Sequence, residues 1–245
     1  MELNICHLYP DILNLYGDRG NIIAMTRRLR DRGIGVSVEE CSIGQPLSAA
    51  KYDIFFIGGG QDFEQEILLR DLAAGKSREI ISAVEEEKTF LAICGGYQML
   101  GGYYKTWDGN QLDFIGALDL YTVGAKDRMI GNYMFETAPE DGGTMVVGFE
   151  NHSGKTYLGD SVQPLGTVIE GFGNNGEDKT EGARYKNVFA TYSHGSLLPK
   201  NPVLCDHILH TALSHKYGDV PPLSPLNDTL ETRAHDYMQK RLSKA

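Results

Sequence analysis

Apolar residues in the first hundred positions fall into short unbroken runs. Each run is cut by glycine or proline, and helix-spaced apolar positions lie between them. Leu3–Leu8 is apolar up to Pro10 and reads as a buried strand. From Arg19 to Arg32 the residues Ile22, Ile23, Met25 and Leu29 follow helical spacing, and Gly33 supplies a stop. Ile34–Glu40 alternates around its valines as a second strand. Tyr52–Ile57 is a continuous apolar strand ending at Gly58-Gly59-Gly60, and Thr89–Ile93 is another ending at Cys94-Gly95-Gly96. Ile67–Leu72 and Glu79–Glu87 carry helical patterns between these two strands. Such alternation predicts an α/β fold, a mostly parallel sheet with helices on both faces.

The texture changes from Leu112 to Tyr192. The β-rich runs Phe114–Val123, Thr144–Glu150 and Val188–Tyr192 are separated by glycine-rich turns and predict a mixed or antiparallel extension of the same layered domain. Pro202–Tyr217 reads as a closing helix. Pro221-Pro222-Leu223-Ser224-Pro225 is a stiff linker, and Asn227–Lys244 a charged helix. The expected organisation is one domain over 1–218, followed by a linker and C-terminal helix over 219–245.

Charge narrows the function classes. The 245 residues hold 23 basic and 33 acidic side chains, a net charge of −10, with no basic run longer than Arg27-Arg28. Nucleic-acid binding needs a clustered positive face, so that class is excluded. No stretch reaches the roughly 18 apolar residues of a membrane helix, and the first ten residues lack a secretory pattern. The expected setting is a reducing cytoplasm with free thiols at Cys6, Cys41, Cys94 and Cys205. No Cys-x-x-Cys pair occurs. His207 and His210 share a helix face but lack further ligands, so no metal is expected.

The chemistry concentrates at a strand–helix corner. Cys94 follows a buried strand and precedes two glycines and a helix beginning at Tyr97. A nucleophile there sits on a tight turn, and a helix start favours the thiolate. The Gly58-Gly59-Gly60 turn falls on the same sheet edge, where sites of open parallel sheets form, and a backbone N–H there can join that of Gly95 in an oxyanion hole. No Gly-Lys-Ser/Thr follows, so the turn is not a phosphate loop. A thiol catalyst needs a base. His194, after the Val188–Tyr192 strand, would reach the same edge, with His152 the competitor. Cys6, Cys41 and Cys205 lack the corner setting and are expected to pack in the core.

Gly58-Gly59-Gly60-Gln61-Asp62, Ala92-Ile93-Cys94-Gly95-Gly96-Tyr97-Gln98, Gly148-Phe149-Glu150-Asn151-His152 and Tyr192-Ser193-His194-Gly195 together resemble the class I glutamine amidotransferases, in the branch shared with cobyric acid synthase. The opening Tyr9-Pro10-Asp11, the stretch Asn14-Leu15-Tyr16-Gly17-Asp18-Arg19-Gly20-Asn21, and Leu197-Leu198-Pro199-Lys200-Asn201-Pro202 are similar to the GatD-type glutaminase subunits of lipid II isoglutaminyl synthase. The likeness runs from about Leu3 to Tyr217.

The resemblance implies a three-layer, flavodoxin-like fold. It implies Cys94 as nucleophile, His194 as base and then acid, Gly60 and Gly95 as oxyanion donors, and Arg128 as the substrate-holding arginine. A guanidinium suits a carboxylate through paired hydrogen bonds. Related triads carry glutamate two positions after the histidine, where this chain has Ser196. A Cys-His dyad is therefore expected, and the resemblance implies that an aspartate on the partner supplies the missing acid. It further implies a MurT-like synthetase of the Mur-ligase family as that partner, in a heterodimer. ATP and magnesium are expected there, with no cofactor in this chain. The released ammonia would amidate the D-glutamate α-carboxylate of the peptidoglycan stem peptide. The competing readings are a glutaminase serving another acceptor such as a corrin carboxylate, a thiol hydrolase or peptidase, and a non-catalytic binding module.

Overall fold

The computed structural model describes residues 1–60 and 68–244. The Gln61-Asp62 end of the first glycine motif and Ile67 lie outside the described residues. Strands β1 (Glu2–Leu8), β2 (Gly35–Cys41), β3 (Ile54–Ile57) and β4 (Thr89–Ile93) come from the apolar runs of the first hundred residues. The next six are β5 (Tyr103–Lys105), β6 (Gln111–Asp113), β7 (Leu120–Thr137), β8 (Met145–Leu158), β9 (Gly166–Glu170) and β10 (Thr180–Glu181). They form a separate sheet, ordered β10-β9-β7-β5-β6, with β8 paired to β7. The chain then returns through β11 (Ala183–Tyr185) and β12 (Val188–Thr191) to complete the first sheet, in the order β11-β12-β4-β3-β1-β2. The expected extension is thus a second sheet built on the long antiparallel β7–β8 hairpin, and residues 114–119 are not strand.

β1, β2, β3, β4 and β12 run parallel. Ile57 pairs with Ala92, and Ile93 with Thr191. These registers bring the ends of β3, β4 and β12 to one edge. Apolar burial explains why this sheet is central: every residue of β3, β4 and β12 is buried, as a strand covered on both faces must be. Phe55 and Phe90 stack in this core at 4.6 Å between ring centroids.

Helices cover both sides. They are α1 (Arg19–Arg30), α2 (Ser77–Glu85), α3 (Gly95–Met99), α4 (Leu197–Lys200), α5 (Pro202–Tyr217) and α6 (Thr229–Leu242). α1 turns Ile22, Met25 and Leu29 inward. Residues 68–71 lead into a π-type turn, Leu72–Lys76, and the chain kinks at Gly75 (φ 138°) before α2, so the two expected patterns stay on either side of a break. After α5 the linker is fastened by ion pairs. Arg28 binds Asp206 and Asp228 at 2.6–2.8 Å, and Arg32 binds Asp206 and the Ser224 carbonyl. Leu242 of α6 packs with Met134 and Val147 of the second sheet.

Candidate active site

The end of β4 delivers Cys94 to the sheet edge in a left-handed conformation, φ 48°. Such a backbone strains any residue but glycine, and strain of this kind clusters at functional turns. The Cys94 N–H still donates to the Thr191 carbonyl at 2.8 Å, which ties the turn to β12. α3 begins at Gly95 and lasts only five residues. It is too short to carry the helix-dipole argument made from sequence.

The two glycine turns meet backbone to backbone. Gly96 N–H donates to the Gly58 carbonyl at 3.2 Å. A Cβ on Gly96 would lie 2.8 Å from the Gly58 and Ile57 carbonyl oxygens, and one on Gly95 would lie 3.1 Å from the Gly60 nitrogen. Real Cβ atoms do not approach backbone at the first distance, so glycine at 96 is what lets the turns close. Gly60 and Gly95 therefore flank Cys94 together.

His194 is fully buried beyond β12. Its backbone N–H donates to the Phe149 carbonyl at 2.8 Å, which joins the two sheets at this point. Its Nδ1 faces both oxygens of Asp18, at 3.2 and 3.4 Å. Asp18 is also fully buried, and its Oδ2 accepts the Gly59 N–H at 2.8 Å. A side chain at Gly59 would strike the imidazole. Burial opposes the charged imidazole, but the nearby Cys94 charge and the hydrogen-bonded Asp18 carboxylate outweigh it and push His194 up to about 10. Nε2 has no hydrogen-bond partner.

Asp18 was not among the residues expected at this site. A carboxylate of this same chain stands against the histidine, 176 residues away in sequence. Ser196, at the position where related triads carry glutamate, fixes the segment that brings it. The Ser196 hydroxyl donates to the Gly17 carbonyl at 2.6 Å, while Leu15 N–H donates to the Gly59 carbonyl at 3.1 Å. The sequence signal was the polar, glycine-punctuated stretch 14–21, noted only as motif.

Arg128 lies in β7 at a register shift between Gly124 and Met129. Its Nε donates to Asn151 Oδ1 at 2.9 Å, and the Asn151 amide donates to the Tyr16 hydroxyl. The Tyr16 ring meets the His194 ring edge-on at 5.0 Å. Tyr16, Gly60, Cys94, Gln98, Arg128 and His152 line a shared cavity of about 490 Å³. Cys94 at its floor is 7% exposed. His152 forms wall: its ring stacks on Tyr192 at 3.6 Å, and its Nδ1 is bonded to the Gly154 carbonyl at 2.8 Å. His207 and His210 bond to Asp141 and to the Val220 carbonyl, respectively. Among the described residues no cluster of three or more His, Cys, Asp or Glu is placed to share a metal, and no helix is long and apolar enough to cross a membrane.

A thiol beside an imidazole, whose other nitrogen meets a carboxylate, is the arrangement used for covalent acyl transfer. The backbone N–H groups suit a developing oxyanion and the guanidinium suits an anionic substrate group.

The model of the CobB/CobQ-like glutamine amidotransferase domain matches residues 4–202. The GatD subunit of the glutamine-hydrolysing lipid II isoglutaminyl synthase of Streptococcus pneumoniae (strain ATCC BAA-255 / R6) is 40% identical over 245 residues, covering 100% of this chain and 93% of the relative. That of Staphylococcus aureus (strain N315) is 45% identical over 215 residues, 88% of this chain and 86% of the relative. PurLQS from Thermotoga maritima shares the fold, with a TM-score of 0.58 at 16% identity, over 88% of this chain and 100% of that one.

Proposed function

The chain belongs to the CobB/CobQ-like glutamine amidotransferases and is a glutamine-hydrolysing enzyme subunit; on that premise we propose that it feeds ammonia to a lipid II isoglutaminyl synthase. The observation that carries the catalytic reading is Cys94 in the Arg128 cavity, backed by the buried His194–Asp18 pair whose imidazole feels the Cys94 charge.

Glutamine enters with its α-carboxylate on Arg128. The Cys94 thiolate attacks the side-chain amide carbon, and the oxyanion is held by the N–H groups of Gly60 and Gly95. A donor of this kind contributes about 2.7–4 kcal/mol to the transition state. His194 passes its proton to the leaving ammonia, then takes one from the water that cleaves the γ-glutamyl thioester. Asp18 fixes the ring and stabilises the imidazolium, so the acid is supplied in this chain and no carboxylate from a partner is required. The partner is a MurT-like synthetase of the Mur-ligase family that binds ATP and magnesium and activates the D-glutamate α-carboxylate of the stem peptide.

The test is purified chain with glutamine, alone and with the synthetase, ATP and lipid II, measuring glutamate and amidated product. Glutamate released by the chain alone, and lost in Cys94→Ala, supports the reading. Hydrolysis only with the partner present would return the acid to that partner. Amidation of a corrin carboxylate in place of lipid II would change the acceptor. Peptide cleavage without glutamine turnover would replace the glutaminase reading altogether.

A further inference from the structure

Thr191, the last residue of β12, serves both halves of the proposed reacting pair. Its carbonyl accepts the Cys94 N–H at 2.8 Å. Its hydroxyl accepts the Ser193 N–H at 3.0 Å, one residue before His194. The same hydroxyl donates to Oε1 of Glu181 at 2.6 Å, and that oxygen also accepts the Tyr192 N–H at 3.0 Å. Glu181, Thr191 and Ser193 are all fully buried.

Glu181 comes from the other sheet. It ends β10, whose backbone pairs with β9, Thr180 with Thr167 and Glu181 with Gly166. That pairing does not use the side chain, which reaches across to β12. Gly182 permits the approach: its φ is 62°, and a Cβ there would lie 2.2 Å from the Ala190 carbonyl oxygen. Asn174, also fully buried, brackets the carboxyl group through the residues on either side of it. Its amide donates to the Thr180 hydroxyl at 3.0 Å and to the Gly182 carbonyl at 2.9 Å, and its Oδ1 accepts the Gly182 N–H at 2.9 Å. That Oδ1 also accepts the hydroxyl of Tyr97, three residues after Cys94, at 3.1 Å. The path closes on itself, from Cys94 through Thr191, Glu181 and Asn174 back to the helix that follows Cys94.

A carboxyl group is a costly way to fill this space. Burial pushes Glu181 up to about 7 against the pull of the Thr191 and Tyr192 donors, and Oε2 has no hydrogen-bond partner among the described residues. An apolar side chain would avoid that cost but would take this acceptor from the Thr191 hydroxyl and the Tyr192 N–H. We propose that Glu181 is a positioning residue of the glutaminase site: it pins Thr191, and through Thr191 holds the Cys94 turn and the His194 turn at a fixed offset. The proposal rests on Cys94 and His194 being the reacting pair. Glu181 does not line the Arg128 cavity, so its effect falls on the chemical step and not on glutamine affinity. Misplacing reacting groups by about 1 Å costs up to roughly 10²-fold in rate.

The test measures kcat and KM for glutamate release by the full chain in complex with its synthetase partner. Glu181→Leu should lower kcat about 10–100-fold and change KM by less than about twofold. Glu181→Gln keeps a neutral side chain with an accepting oxygen and should stay within about threefold of the parent. Thr191→Val keeps the shape but removes the hydroxyl between Glu181 and Ser193. It should lower kcat about tenfold at unchanged KM, and should add little to Glu181→Leu, because both break one chain of contacts. Circular dichroism identifies the folded variants, and if Glu181→Leu does not fold, Thr191→Val and Glu181→Gln decide. Parental kcat in folded Glu181→Leu or in Thr191→Val overturns the proposal. So does a loss carried by KM, or Glu181→Gln as impaired as Glu181→Leu. If the parent complex releases no glutamate, or Cys94→Ala releases as much as the parent, the reacting pair itself is wrong and the role of Glu181 falls with it.

Discussion

The two sheets handle different parts of one cavity. The parallel sheet supplies backbone turns and the proposed reacting groups: Gly58–Gly60 after β3, Cys94 after β4 and His194 after β12. The antiparallel sheet supplies the hydrogen-bonded pair that would hold glutamine on the proposed reading, Arg128 from β7 with Asn151 from β8. Turns that touch through backbone cannot be widened without shifting three strands. A guanidinium on an irregular, exposed stretch of β7 can be re-aimed by one hydrogen bond. Chemistry thus sits on the least deformable part of the molecule and recognition on the more adaptable part, the division expected of a site held by a rigid scaffold.

Variants that strike one sheet and spare the other test this division. On the parallel side, Cys94→Ala should lower glutamate release by about 10⁴-fold or more, since loss of a nucleophile collapses the covalent route. Steady-state release of glutamate checks it, and retention of near wild-type turnover would remove the thiol from the mechanism. Asp18→Asn keeps the shape but removes the charge and alters the hydrogen bond to Nδ1. It should reduce kcat by roughly 10²–10⁴-fold with little change in KM, a split that separate kcat and KM measurements resolve. On the antiparallel side, Arg128→Ala should act mainly on KM, raising it about 10–100-fold, because a charge-assisted hydrogen bond is worth about 1.5–3 kcal/mol. A larger effect on kcat than on KM would place Arg128 with the reacting groups.

The smallest effect is on stability. His194 has a folded-state value near 10 against 6.5 for a free imidazole. Its protonation therefore contributes stability that is fully present below pH 6.5 and is lost as pH rises through about 10. Removing Cys94, the largest of the raising causes, should shrink that dependence. Urea midpoints followed across this range should fall more steeply for wild type than for Cys94→Ala. Parallel curves would mean that the thiolate does not hold the proton on the ring.

The parallel sheet was legible in the sequence because strands buried on both faces are written as continuous apolar runs. Tyr52–Ile57 and Thr89–Ile93 could be marked directly, and the glycines behind them announced the edge. The second sheet was less legible. β8 buries alternate residues along most of its 14 positions, but β7, over 18, does so only at its ends, and glycines at 124, 131, 148 and 154 break both into shorter pieces. Asp18 was missed for a different reason. The expected acid was sought two positions after His194, whereas burial and packing of the 14–21 segment against Gly59 bring one from the far end of the chain. No periodicity encodes such a contact. Ser196, where related triads carry glutamate, instead holds that segment down through Gly17.

The hydrogen bond from the His194 amide to the Phe149 carbonyl carries a mechanical consequence. Phe149 lies two residues before Asn151, the residue that steadies Arg128. Any tug that a docking protein or an arriving ligand exerts on that arm is transmitted by a few backbone bonds to the proton-carrying ring. On the proposed mechanism, the arm that would hold the substrate and the ring that would carry the proton thus share one short backbone link.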